Sequence, residues 1–126
     1  MLLEFRFQNY KSFREETSFS MMAAPKQKGL DYSLFNIKKQ GKDIKGLCSS
    51  VIYGSNAAGK TTVVGAMDTF RSIVLRGNIR NSEDIGSPNH AASNLSLVPN
   101  QILTKSEPVE FFIDFVVDKF RIQYDV

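Results

Sequence analysis

Residues 52–62 read IYGSNAAGKTT. Within them Gly54, Ser55, Asn56, Ala57, Ala58, Gly59, Lys60 and Thr61 follow the spacing G-x-x-x-x-G-K-[ST]. The chemistry that needs this pattern is the cradling of a phosphate. Backbone N–H groups must point inward around the anion, so bulky side chains are excluded and some positions need positive φ. Gly54 and Gly59 are expected to supply that freedom, with Ala57 and Ala58 staying small. A helix opening after Gly59 would present unpaired N–H groups and the positive end of its dipole to the β-phosphate. Lys60 suits the β- and γ-oxygens as a point charge. The Thr61 hydroxyl suits Mg²⁺, and Thr62 can donate to the α-phosphate. The four fixed positions arise by chance on the order of once in a few hundred chains of this length. A strand-to-helix turn that is merely built of small residues does not account for a lysine followed by two hydroxyls.

Such a loop works only between a strand and a helix, and the flanking pattern supplies both. Leu47, Cys48, Val51, Ile52 and Tyr53 form a short apolar run that predicts a buried strand. From Gly59 the period changes to 3.6. Val63, Ala66, Met67, Phe70, Ile73 and Val74 share one helical face, and Gly77 is the expected stop. Gly65 within the helix would let it sit close to a sheet. Upstream, Leu3, Phe5 and Phe7 alternate with polar residues, and Thr17, Phe19 and Met21 alternate again, which predicts a hairpin. Downstream, Val109, Phe111, Ile113, Phe115 and Val117 precede a turn at Asp118-Lys119 and a partner strand carrying Phe120, Ile122, Tyr124 and Val126. Residues 77–108 are polar, with Ile79, Leu95, Leu97, Ile102 and Leu103 as anchors and His90 as a surface histidine.

Bulk properties narrow the class. At 126 residues the chain is one domain or part of one, and its net charge of +3 does not by itself indicate a nucleic-acid binder. Residues 24–46 hold six lysines against two aspartates, a local +4, around a short strand at Leu34, Phe35 and Ile37 and a turn at residues 40–42. This segment reads as a solvated loop or as a phosphate-binding surface. The segment has no aromatic-plus-arginine interleaving, since it contains no arginine, so the loop is the preferred reading. The single Cys48 excludes an internal disulfide, fits a reducing cytoplasm, and is expected to be a small buried hydrophobe. The N-terminus lacks the apolar stretch of a signal peptide, and no run reaches the roughly 18 residues of a membrane helix, so no membrane partner is expected.

MLLEFRFQNYKSF at residues 1–13, followed by VIYGSNAAGKTTVVGAM at residues 51–67, resembles the N-terminal lobe of ABC-type ATPase heads of the SMC and RecF group. The likeness is strongest to the AAA-family ATP-binding branch associated with anti-phage and OLD-like systems. PVEFFIDFVVDKFRIQYDV at residues 108–126 resembles the antiparallel hairpin of those heads. The resemblance implies an α/β P-loop NTPase fold in which antiparallel strands flank a strand–loop–helix unit. It makes residues 1–126 a single partial lobe with variable loops at 24–46 and 77–108. It also implies ATP and Mg²⁺ as ligands, head-to-head homodimers of the full-length protein, ATP hydrolysis by the parent, and DNA as a candidate partner. Asn56 matches the asparagine of the family's loop. Lys11 and Ser12 match its N-terminal turn, whose basic residue lies near the nucleotide; a surface lysine in a turn is the alternative. Ala57 stands where the family often has Gly.

Other parts of such heads are missing from the sequence. No glutamine loop, Ser-Gly-Gly signature, apolar-Asp-Glu strand or switch histidine is present. Asp114 and Asp118 follow apolar runs, but Asp118 reads as the hairpin turn and Asp114 as a strand-face residue. Hydrolysis needs a carboxylate to position water, so the chain reads as a binding half that does not turn over alone. Ending within a strand pattern at Val126, it is expected to be an N-terminal piece of a longer ATPase. A non-hydrolysing nucleotide-binding or interaction module is the alternative. A kinase or GTPase fits less well, because a hairpin precedes the loop and no guanine-reading motif is present.

Overall fold

The computed structural model describes residues 1–24, 29, 31–39, 42–76, 97–102, 107–118 and 120–126. The alternating N-terminal residues form β1 (Leu2–Gln8) and β2 (Thr17–Ser20). Two strands follow, β3 (Leu34–Lys39) and β4 (Lys42–Leu47), and then α1 (Lys60–Arg76), β5 (Glu110–Val117) and β6 (Phe120–Asp125). One sheet has the order β2-β1-β5-β6, and β3 pairs with β4 separately. All of these pairings are antiparallel.

The core lies between this sheet and α1. Phe5, Phe7 and Phe111 project from β1 and β5 to meet Ala66, Phe70 and Ile73 of the helix, with Tyr10 beside them. Phe5 stacks on Phe111 at 6.2 Å and meets the edge of Phe70 at 5.8 Å. Such ring pairs each add about 0.5–1.5 kcal/mol beyond the area they bury. Ala66, fully buried, keeps the helix near the aromatic sheet. The Tyr10 hydroxyl reaches Thr69 Oγ1 at 3.0 Å, so neither buried oxygen is left without a partner.

Burial alternates along β1, with Leu3, Phe5 and Phe7 buried, but the pairing is irregular at its start. The pairing with β5 shifts register between Leu2 and Glu4. A bulge turns successive residues to one side. Leu2 therefore joins Phe5 on the helix side, and Leu3, also buried, lies outside the Phe5–Phe7 cluster.

Gly65 faces the Tyr10 hydroxyl, which stands 3.8 Å from where a Cβ would be. That is an ordinary contact, so close approach does not require glycine here. Gly65→Ala should therefore raise stability by about 1 kcal/mol through helix propensity, read as a higher urea midpoint at unchanged slope. A lower midpoint would mean that the extra methyl forces α1 away from Tyr10.

Several sequence expectations are corrected. The run at residues 47–53 is not a buried strand. Leu47 ends β4, while Val51, Ile52 and Tyr53 pair with no strand, and Val51 and Tyr53 are 81% and 90% exposed. A buried strand needs a ladder on each side, and no described strand borders this run. Cys48 is exposed for the same reason. In the basic segment the strand expected at Leu34, Phe35 and Ile37 is present as β3; its partner β4 is the addition, forming a hairpin that KDIKGL, with only two apolar residues, does not announce. Main-chain bonds tie the hairpin down, from Ala23 N–H to the Lys45 carbonyl and from Leu47 N–H to the Met21 carbonyl. Val74 is half-exposed, beside a groove of about 540 Å³ between α1 and β5–β6. Leu97 packs on the core as expected, but Ile102 is exposed. Ile79, Leu95, Leu103, His90, the Gly77 stop and residues 40–41 of the turn lie outside the described residues.

The sheet face away from α1 carries the charges. Asp114, buried on β5, accepts from Arg121 Nε at 3.0 Å and Nη2 at 2.5 Å, and from Gln123 Nε2 at 3.2 Å. Asp118 is the turn residue, at φ 54. Both aspartates thus have the structural roles read from the sequence. The bonds from Arg121, aided by Gln123 and opposed by burial, hold the Asp114 carboxyl below the ordinary carboxylate range. A depressed folded-state value means a stability contribution that is present above the unfolded pKa of about 3.9 and is lost as pH falls through the folded value. Urea unfolding between pH 6 and pH 2 should therefore show a steeper acid limb in wild type than in Asp114→Asn. Parallel limbs would remove Asp114 from the acid response.

Candidate functional site

The loop closes around its own lysine. Residues 51–58 run exposed along the surface, and Ala58 N–H turns back to the Ser55 carbonyl at 3.3 Å. Ala57 has φ 64 and Gly59 has φ 84. The left-handed residues are therefore Ala57 and Gly59, where the sequence suggested Gly54 and Gly59. At Ala57 this conformation costs about 1 kcal/mol, local strain of the kind that clusters at binding loops. Gly54 has negative φ, and an added Cβ there would meet only the Ala58 methyl at 3.5 Å.

At Gly59 the chain turns into α1. The Gly59 carbonyl accepts the N–H groups of Thr62 and Val63 at 3.0 and 3.1 Å. The N–H groups of Lys60 and Thr61, in the first turn of α1, have no carbonyl behind them in the helix. Lys60 Nζ bends back and donates to the carbonyls of Gly54 at 2.9 Å and Ser55 at 2.6 Å. The lysine ammonium thus lies against the loop at the helix N-terminus, and exposed Thr61 is the second residue of that helix. Asn56 is exposed beside them, and Thr62 is half-buried within the first turn.

The N-terminal turn adjoins this loop through a residue that the sequence reading did not select. Tyr10 and Phe13 exchange both main-chain hydrogen bonds, closing a two-residue turn at Lys11 and Ser12. Lys11 takes φ 51, and its ammonium stands 5.2 Å from the centre of the Tyr10 ring. Ser12 is exposed. Among the described residues neither side chain hydrogen-bonds residues 54–62. Phe13 is the residue that reaches the loop, with its ring against Gly59.

Two buried asparagines hold the turn. Asn9 Nδ2 donates to the Glu107 and Pro108 carbonyls at 2.6 and 3.1 Å, and Asn9 Oδ1 accepts the Asn100 N–H at 2.9 Å. Asn100 Nδ2 donates to the Lys11 carbonyl at 2.8 Å, and Lys11 N–H donates to Val98. Asn9 and Asn100 sit in polar stretches that read as ordinary loop, and no local pattern marks them as partners.

The family model described as "AAA domain, putative AbiEii toxin, Type IV TA system" matches residues 49–126. The chain belongs to this AAA family. Its match takes in the loop, α1, β5 and β6, and leaves β1–β4 outside. Membership makes the chain a nucleotide-binding module of the ATPase type. Comparison with the curated proteins and with the solved structures returns no match. Among the described residues no helix is long and apolar enough to cross a membrane, and no three His, Cys, Asp or Glu side chains are grouped to hold a metal ion.

Proposed function

We propose that residues 54–62 of this AAA-family chain bind the triphosphate of ATP together with Mg²⁺, as the N-terminal lobe of an SMC- or RecF-like ATPase. The observation that carries the reading is the Lys60 ammonium, 2.9 and 2.6 Å from the Gly54 and Ser55 carbonyls, over a helix N-terminus entered through the left-handed Ala57 and Gly59. Phosphate oxygens would replace these exposed carbonyls as acceptors from the Lys60 ammonium and would also accept from the Lys60 and Thr61 amides. The Thr61 hydroxyl offers Mg²⁺ one oxygen ligand. Phosphate and water would complete the shell, as is usual for this ion. Head-to-head dimerisation of the full-length protein and action in DNA repair or anti-phage defence belong to the same proposal.

A second reading, binding without turnover, has its own observation. Asp114 is the one buried carboxylate among the described residues, and Arg121 and Gln123 take its oxygens. It is not available to position an attacking water. Calorimetric titration with ATP·Mg²⁺ and a phosphate-release assay test both statements together. The expected result is binding with no turnover above background. No binding would overturn the assignment of the loop. Turnover that is lost in Lys60→Ala would overturn the reading of binding without turnover.

A further inference from the structure

We infer that Phe13 is a positioning residue for the phosphate loop, a ring that holds Gly59 in the conformation that opens α1 toward its ligand. The inference rests on the proposal that residues 54–62 bind phosphate. A Cβ placed on Gly59 would lie 2.6 Å from Phe13 Cζ and 2.7 Å from Cε2, far inside van der Waals contact. The ring thus occupies the space that any other residue at position 59 would need. Gly59 also has φ 84, a conformation that side-chain-bearing residues rarely adopt. Glycine is required here twice, by its backbone angle and by the ring.

The ring is itself fixed from behind. It meets the Phe7 ring edge-on at 5.2 Å, and Phe7 is 1% exposed in the core. The Phe13 main chain is paired to Tyr10, and the intervening turn is bound to Val98 and Asn100. A connected path of packed and hydrogen-bonded groups therefore runs from β1 through Phe13 to the one carbonyl, that of Gly59, that accepts from both Thr62 and Val63. Loop atoms must be held within about half an ångström for backbone amides to act together on an anion. Residues 51–58 themselves are exposed.

Three variants separate this role from plain core packing. Phe13→Ala removes the ring. Phe13→Leu keeps bulk against Phe7. Phe13→Tyr keeps the Phe7 contact and adds an oxygen at Cζ, the atom nearest Gly59. In the nucleotide-free chain, amide exchange at Thr62 and Val63 should speed up at least tenfold in Phe13→Ala and several-fold in Phe13→Tyr. Exchange at Phe5 and Phe111 should stay near wild type in Phe13→Tyr. ATP·Mg²⁺ should bind about tenfold more weakly to Phe13→Ala and at least threefold more weakly to Phe13→Tyr, with Phe13→Leu nearer wild type. If Phe13→Ala does not fold, Phe13→Tyr against Phe13→Leu decides. Wild-type binding by Phe13→Tyr, or exchange that rises equally at Phe5, Phe111, Thr62 and Val63, overturns the inference. Lys60→Ala is the control. If it binds ATP·Mg²⁺ as wild type does, the phosphate-loop reading fails, while the exchange data on the free chain still judge the contact of Phe13 with Gly59.

Discussion

Lys60→Ala should abolish the thermal shift that ATP·Mg²⁺ gives the wild-type chain and leave the nucleotide-free melting temperature nearly unchanged. The two effects separate because, among the described residues, Lys60 Nζ bonds to the exposed carbonyls of Gly54 and Ser55 and not to the core. Water replaces such bonds at small net cost, about 1 kcal/mol or less at an exposed site. Ligand linkage is much larger. ATP·Mg²⁺ at a hundred times its Kd adds about 2.7 kcal/mol, a shift on the order of 10 °C for a domain of this size. Removing the ammonium from a triphosphate site should weaken binding by about two orders of magnitude, each tenfold being 1.4 kcal/mol, and the shift at that concentration would largely vanish. Differential scanning fluorimetry with and without ATP·Mg²⁺ reads both quantities. Equal shifts in the two proteins would place the nucleotide away from the loop.

Asn9→Ala should cost about 3 kcal/mol of folding stability, the largest loss we expect from any single polar residue of this chain. The side chain is 1% exposed and makes three hydrogen bonds to main chain, two as donor and one as acceptor. Glu107 and Pro108 are exposed, so water can serve their carbonyls. Asn100 is buried, and its N–H would be left unpaired at a cost of about 1–3 kcal/mol. Asn9 also sits at φ 52, where asparagine is tolerated and alanine pays roughly 1 kcal/mol more. Urea unfolding should show the lower midpoint at unchanged slope, and Asn9→Asp, which keeps the acceptor for Asn100, should fall between. A loss below 1 kcal/mol in Asn9→Ala would mean that the 9–13 turn is held by Asn100 and Phe13 without it.

The hairpins β1–β2 and β5–β6 and the helix were legible because their signals are local. Phe5 and Phe7 against Arg6 and Gln8 state a two-residue period, and Ala66, Phe70 and Ile73 state a helical one. The β1 bulge was not legible, since it depends on which β5 residue lies opposite Leu2. Strand β4 was not legible, because it is mostly polar and is held by main-chain bonds to residues 21 and 23, whereas β3 was marked by Leu34, Phe35 and Ile37. The run Val51–Tyr53 misled in the opposite direction. Its composition suits a central strand, but composition cannot supply neighbours, and none of the described strands lies beside it.

The loop shows the same division. G-x-x-x-x-G-K-T is a contiguous signal, so the sequence alone determined where the lysine, the small residues and the two hydroxyls stand relative to a helix start. It also located the N-terminal turn that carries Lys11 and Ser12. Only the tertiary structure decided that Phe13 is the residue of that turn that meets Gly59, that Asn9 and Asn100 lock the turn from 91 residues apart, and that Ala57 takes the left-handed conformation expected at Gly54. The physical reason is range. Periods and motif spacings record what a residue's chain neighbours require of it, whereas a ring filling the space above a glycine is fixed by packing between segments that the sequence keeps apart.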